Sequence, residues 1–399
     1  MFMRTLGDLK GLDLNSVELF TGCGGLALGL SRAGFRSLRM SEWDKHSVAN
    51  IVHNRTCGLD FVRDWPIHCE DVQSVGWSDY NGVHLVAGGP PCQPFSIGGR
   101  HRGHEDKRDM WPEAVRAIRE IQPRAFLFGN VRGLLRPAFT EYLNWVLLSL
   151  ALPHVEQKGN ESRVDHLHRL EKLRDKATYR IRLVRVNAAD YGVAQKRHRV
   201  IIMGLRADLG EWPAPPPPTH TRARLLWDKW VVGKYWHRHG MKKPKNIPIG
   251  DQAMVERLLE HSLIEPNSLP WMTLRDALLG LGEPNSRPDL PNHVLQPGAR
   301  SYPGHTGSVL DEPAKALKAG VHGVPGGENM IALEAGRVRY FTVREAARLQ
   351  GLPDKYEFVG SWSENMRQLG NAVPSQLAEQ FARRMTDFLS TSSRKARAA

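Results

Sequence analysis

Through residue 205 the chain alternates short apolar runs with helical patterns. Val17-Glu18-Leu19-Phe20 reads as a strand, Thr21 to Gly25 as a glycine-rich turn, and Leu26 to Ala33 as a helix closed by Gly34. His84 to Ala87 is a second strand, ended by Gly88-Gly89-Pro90-Pro91, and Ala125 to Phe128 and Arg199 to Met203 are further strands. Apolar strands separated by helices predict an α/β fold, with a largely parallel sheet covered on both faces. No repeat at a fixed period interrupts this pattern.

The pattern changes over 206–334. Pro213 to Pro218 contains five prolines, which cannot sit inside a helix or a central strand, so the stretch reads as an extended linker. Arg206 to Asn246 carries nine Lys/Arg against three Asp/Glu, interleaved with Trp227, Trp230, Tyr235 and Trp236. Basic residues mixed with aromatics suit a nucleic-acid surface; the alternative is a small basic domain whose tryptophans form its core. Regular structure then returns. Thr342-Val343-Arg344-Glu345 is a capping box opening a helix to Gln350, stopped at Gly351 with Pro353 beyond. Ser363 to Leu369 reads as another helix, and Val373 to Leu389 as an amphipathic one. The tail Ser390 to Ala399 is expected to be disordered. The charged stretch Asn160 to Lys176 reads as a surface helix or a partly disordered insertion. The expected organisation is therefore a catalytic domain over 1–205, an inserted smaller domain over 206–334, and a return to the first domain over 335–399.

Fifty-five Lys+Arg against 42 Asp+Glu give a net charge of +13, which favours a polyanionic partner without specifying a fold. No apolar run reaches the roughly 18 residues of a membrane helix. Tyr142 to Leu152, the best candidate, is short and contains Asn144 and Ser149, and the N-terminus lacks an apolar signal core. Cys23, Cys57, Cys69 and Cys92 form no CxxC pair, so neither a disulfide scaffold nor a metal site is expected, and a reducing cytoplasm is the default location.

Two loops carry candidate chemistry. Phe20-Thr21-Gly22-Cys23-Gly24-Gly25 follows the first strand, where glycines let backbone amides approach a ligand at the carboxyl end of a sheet. Its spacing is neither that of a dinucleotide fingerprint nor that of a phosphate loop. Glu42 and Asp71, near the ends of later segments, could accept hydrogen bonds from a nucleoside, or serve as caps or solvated charges. Gly89-Pro90-Pro91-Cys92-Gln93-Pro94 displays a cysteine between prolines on a stiff loop, a setting that pre-organises a nucleophile.

These stretches occur in one order with Asn130-Val131, Gln195-Lys196-Arg197-His198-Arg199, Arg344 to Gly351, and Gly370-Asn371-Ala372-Val373-Pro374. Together they resemble a DNA (cytosine-5)-methyltransferase of the bacterial restriction–modification type, over about 15–205 and 335–390. The resemblance implies a Rossmann-like methyltransferase sheet with an inserted target-recognition domain, S-adenosylmethionine as cofactor and duplex DNA as substrate. A restriction endonuclease acting on the same site is a possible partner, and a monomer is expected. Cys92 matches the nucleophile that adds to cytosine C6, and Arg197 and Arg199 match the arginines contacting the base and its flanking backbone. Phe20, Gly22, Gly24, Glu42, Trp43, Asp71 and Asn371 match positions lining the cofactor pocket. Glu18 stands where Asp is common.

One departure concerns the chemistry. The family has Glu-Asn-Val after a hydrophobic strand, and here the run is Phe128-Gly129-Asn130-Val131. In the family that glutamate hydrogen-bonds cytosine N3 and the amino group, promoting attack at C6. Glu141 belongs to the following helix, and Glu105 and Asp106 lie on the loop after Cys92; none is assigned as a replacement. Gly129 is therefore an engineered or selected inactivating change, the mark of a natural slow or inactive binding relative, or a position whose acid another group replaces. A weakly catalytic DNA-binding protein and a tRNA cytosine methyltransferase are the competing functions. The length of 206–334 argues for DNA over tRNA.

Overall fold

A computed structural model of the chain describes residues 14–91, 109–211, 214–260, 265–319, 329–333 and 336–398. Apolar runs bounded by glycine or acid become the strands β1 (Leu14–Leu19), β2 (Phe35–Glu42), β3 (Ile67–Cys69), β4 (Leu85–Gly88), β5 (Ala125–Val131) and β6 (Tyr179–Asn187). The short β7 (Gln195–Lys196) and the long β8 (His198–Arg206) follow. Seven of them form one sheet in the order β3-β2-β1-β4-β5-β8-β6. The first five are parallel, and β8 runs antiparallel between β5 and β6. Strand order reverses between β1 and β4, so the loops after these two strands part in opposite directions. A crevice at the carboxyl ends of the strands results, the usual ligand position of such sheets.

Side chains alternate across the sheet. Val17, Leu19, Phe126 and Phe128 point to one face and pack with α3 (Trp111–Ile121), α4 (Thr140–Ala151) and α5 (Arg163–Lys172). Leu14, Ala125 and Leu127 point to the other, against α1 (Gly25–Arg32) and the long C-terminal helix over Ser375–Ala398. By this alternation Gly129 belongs to the second face. A third cluster joins α1 and α2 (Lys45–Thr56) to Ala314, Leu317 and the helices over Val343–Leu349 and Trp362–Asn371. Ala314–Lys315 pairs in parallel with β7, the two-residue strand just before β8, so the chain has returned beside the main sheet at that point.

Of the two readings of the basic, aromatic segment after Arg206, the structure favours the core. Trp227, Trp230, Tyr235 and Trp236 are buried, and all but Trp227 pack with Leu225, Leu226 and Val255 as a separate small core. Their polar atoms are turned inward: Trp236 Nε1 donates to the Lys229 carbonyl at 2.8 Å, and Tyr235 Oη donates to Asp311 at 2.7 Å. Composition alone cannot distinguish a basic surface studded with aromatics from a basic shell around them. The C-terminal helix carries on past Leu389 into Ser390 and Thr391, the start of the tail. Its face of Ala382, Met385 and Leu389 is buried, and the hydroxyls of Ser390 and Thr391 bond carbonyls one turn back. The stretch from Asn160 folds into α5, capped by Ser162, whose hydroxyl accepts from the Asp165 amide.

If the inserted aromatics are core, Trp236→Ala should lower stability by about 3–5 kcal/mol in chemical denaturation. A surface role would leave the midpoint unchanged.

Candidate functional site

The site is built along the carboxyl ends of β1 to β5. Phe20, just past β1, takes a left-handed backbone with φ 58°, which turns the chain out of the sheet. The Thr21 amide still pairs with the Ser41 carbonyl at 3.2 Å, so the turn starts in register with β2. The Gly22 amide then donates to Glu42 Oε2 at 2.6 Å, and the Asp44 amide donates to Glu42 Oε1 at 2.9 Å. Burial raises the Glu42 carboxyl above its ordinary range, and the Asp44 and Gly22 amides hold it back. Where Gly22 lacks a Cβ the space is open, whereas a Cβ on Gly24 would strike the Trp65 ring and one on Gly25 would strike the Val373 carbonyl. The glycine loop is thus wedged on two sides and free on the side of the crevice.

Trp43 and Asp71 continue the row. Trp43 follows Glu42 and is 77 % exposed, an unusual position for an indole with no covering contact. Asp71 lies two residues beyond β3, and its Oδ1 accepts from the Gln73 amide at 2.9 Å, so it serves as a local cap as well as standing at the edge. Asn371 is exposed at the end of the helix over Trp362–Asn371. Phe20, Gly22, Gly24, Glu42, Trp43 and Asp71 therefore share the β1–β3 end of the crevice. A carboxylate pre-bonded to backbone amides, an open face on the glycine loop and a bare indole together suit a nucleoside with ribose hydroxyls and a flat base, so the residues fit the adenosyl part of S-adenosylmethionine.

The β4–β5 end holds the other half. Gly88 of β4 is in register with Phe128 of β5, which brings Pro90 beside the end of β5. Asn130 Nδ2 donates to the Pro90 carbonyl at 3.3 Å, while its Oδ1 accepts from the Val131 amide at 2.8 Å. This buried side chain fixes the path of the chain immediately before Cys92, and Cys92 itself lies outside the described residues, as do Glu105 and Asp106. Gly129 has ordinary strand geometry. A Cβ there would meet Val373 Cγ2 at 3.4 Å and Ile201 Cδ1 at 4.0 Å, both ordinary contacts, so nothing in the backbone requires glycine.

The two arginines part company. Arg199 is half-buried on β8, in register with Val131, and its Nη1 donates to the His198 carbonyl at 2.9 Å. Arg197 is fully buried, which corrects its expected place against a base. Its guanidinium donates to the carbonyls of Leu317 (2.8 Å), Gly370 (2.5 Å) and Ala372 (3.0 Å) and to Gln195 Oε1 (3.2 Å). Tyr356, which no sequence signal singled out, donates from Oη to the Cys23 carbonyl at 3.1 Å and so steadies the glycine loop from beneath. Glu18 is buried under the same loop, and among the described residues neither carboxyl oxygen has a hydrogen bond of ordinary geometry. Burial, reinforced by Glu42, holds its carboxyl well above the usual carboxylate range, and the Ala27 amide opposes the shift.

A sheet with this switch point and this edge defines a methyltransferase-type α/β fold. A family model described as C-5 cytosine-specific DNA methylase matches residues 14–152, 157–268 and 288–387. The chain is 32 % identical to the type II methyltransferase M.PspPI of Psychrobacter sp. over 91 % of its own length and 76 % of that protein. With M.NgoMIV of Neisseria gonorrhoeae it shares 29 % identity over 95 % and 99 % of the two chains. Among solved structures, a putative DNA modification methyltransferase encoded within an E. coli prophage superposes with a TM-score of 0.55 at 20 % identity, covering 95 % of this chain and 100 % of that one, a likeness of fold. The chain belongs to the C-5 cytosine-specific DNA methylase family and is of the bacterial restriction–modification kind.

The Glu18 environment gives a pH test. A carboxyl whose folded-state affinity for protons exceeds its unfolded one stabilises the fold at acid pH, and that contribution falls as pH rises above the unfolded value. Glu18→Gln should flatten the decline in stability that sets in as pH rises above the ordinary carboxylate range, and the variant should gain on the unaltered chain as pH rises. Equal slopes in thermal melts of the two proteins would contradict the assignment.

Proposed function

We propose that this protein transfers a methyl group from S-adenosylmethionine to C5 of a cytosine flipped out of a specific duplex DNA site, through a Cys92 adduct at C6, and that Gly129 makes this chain slow. The observation that carries the reading is the Asn130–Pro90 hydrogen bond, which holds the approach to Cys92 beside Gly129 on the neighbouring strand. Glu42, with its oxygens ordered by the Gly22 and Asp44 amides, would accept the ribose hydroxyls, Trp43 would stack on the adenine, and Phe20, Gly24, Asp71 and Asn371 would complete the pocket. When bound, the cofactor supplies an electrophilic methyl group.

The chain's own residues do the rest. Cytosine C5 is a poor nucleophile, and addition of the Cys92 thiolate to C6 pushes the electron pair toward C5. Methyl transfer to C5, loss of the C5 proton and expulsion of the thiolate restore the ring. Arg199, at the end of β8 beside Val131, is the guanidinium placed to bond the base or its backbone. Extracting the base costs a few kcal/mol, and the inserted residues 206–334 would supply the groove and phosphate contacts that offset it. The exposed faces of that region must do this, since Trp227, Trp230 and Trp236 are buried. One flipped base needs one active site, consistent with a monomer, and a cognate endonuclease would act on the same DNA site.

Gly129 removes the acid that bonds the base. A positioned general acid is typically worth about 10²–10⁴-fold in rate. The ordinary Cβ surroundings at Gly129 support a simple loss of side chain over a remodelled site. Gly129→Glu should therefore raise methyl transfer from labelled S-adenosylmethionine to unmethylated DNA by at least about 10²-fold. Equal rates for the two proteins would mean that another group supplies the acid. In the Gly129→Glu background, Cys92→Ser should abolish the covalent complex with DNA containing 5-fluorocytosine; an adduct that persists would show that another residue is the nucleophile.

A further inference from the structure

Arg197 is spent inside the protein, and its partners come from stretches far apart in sequence. Its Nη1 reaches Leu317, at the end of the inserted region, and its Nη2 reaches Gly370 and Ala372. Gln195 Oε1 accepts from the Leu317 amide at 2.9 Å as well as from Arg197, and Gln195 Nε2 donates to the Leu349 carbonyl at 3.2 Å. A Cβ on Gly370 would collide with the Lys318–Ala319 backbone, so the 370–373 strap lies directly on the chain leaving the insert. The other end of the strap is Val373, whose carbonyl abuts Gly25 of the glycine loop and whose Cγ2 borders the Gly129 position.

We infer that Arg197 is a positioning residue that couples engagement of DNA by the inserted region to binding of the cofactor at the glycine loop. The inference rests on the function proposed above. A planar guanidinium spreads its donors in a rigid fork that reaches carbonyls on two sides, whereas an ammonium holds its three donors on one nitrogen without that fixed geometry. A ligand that fixes Leu317–Ala319 fixes the strap through this fork, and through Val373 the loop that carries the Gly22 amide. Each ligand then bears part of the ordering cost of the other, and the coupling is reciprocal.

The test measures the affinity of S-adenosylhomocysteine, a non-reacting probe, by equilibrium dialysis with and without saturating sheared unmethylated DNA. In the unaltered chain DNA should tighten the probe by about fivefold or more. In Arg197→Lys the ratio should fall to about 1 while the probe still binds. Gln195→Met, which leaves Arg197 in place, should lower the ratio partway and serves if the lysine variant does not fold. A ratio unchanged in either variant, or no tightening in the unaltered chain, overturns the coupling alone. Loss of probe binding by Arg197→Lys even without DNA would reduce Arg197 to a structural role. Failure of the unaltered chain to bind the probe at all would overturn the proposed function together with the coupling.

Discussion

The arrangement of this protein depends on a guanidinium buried away from any surface. Arg197 holds Leu317, Gly370 and Ala372 to β7, and with them the closing strap of the catalytic domain. Burying a charge is expensive unless it is hydrogen-bonded. Three carbonyl oxygens and Gln195 Oε1 take up the two terminal nitrogens, and because the carbonyls belong to distant segments those bonds exist only when the whole chain is folded. The strap so placed becomes the wall of the glycine loop through Val373 and Gly25, and a neighbour of Gly129 through Val373 Cγ2. The cofactor end and the base end of the crevice share one side chain at their boundary.

Acid chemistry is concentrated under the glycine loop. Glu42 lies close enough to raise the cost of ionising Glu18, and the two buried acids are accommodated differently. Glu42 takes two backbone amides and keeps an outlook on the crevice, whereas Glu18 is sealed beneath, with neither oxygen in a hydrogen bond of ordinary geometry among the described residues. The loop is therefore supported by one carboxylate committed to hydrogen bonding and one acid whose neutral form burial favours. At the β4–β5 end of the crevice, by contrast, Gly129 brings no side chain.

Much of this was legible in the chain. The strands β1, β4 and β5 are apolar runs punctuated by glycine, proline or a polar turn, and the capping box at Thr342 formed as its residues dictate, with Thr342 and Glu345 bonding each other's amides. The row Phe20, Gly22, Glu42, Trp43, Asp71 came from the family resemblance, and these residues stand at or just past the ends of β1, β2 and β3. Features set by distant partners were not legible. The burial of Arg197 is decided by carbonyls more than a hundred positions away, and Tyr356 reaches Cys23 across most of the sequence. The inserted tryptophans illustrate the same limit, since local composition carried both a surface and a core and only packing chose between them. The last helix, too, is held through Leu389 by its buried face in the cluster it shares with Leu26 and Leu30 of α1.

The central claim is that the cofactor half of the site is intact while the base half lacks one acid. Direct titration of S-adenosylmethionine into the unaltered chain tests it without requiring turnover. The account predicts saturable binding of one molecule per chain, lost when Glu42→Ala removes the carboxylate that orders the Gly22 amide. Absence of binding, or binding that survives Glu42→Ala undiminished, would contradict it.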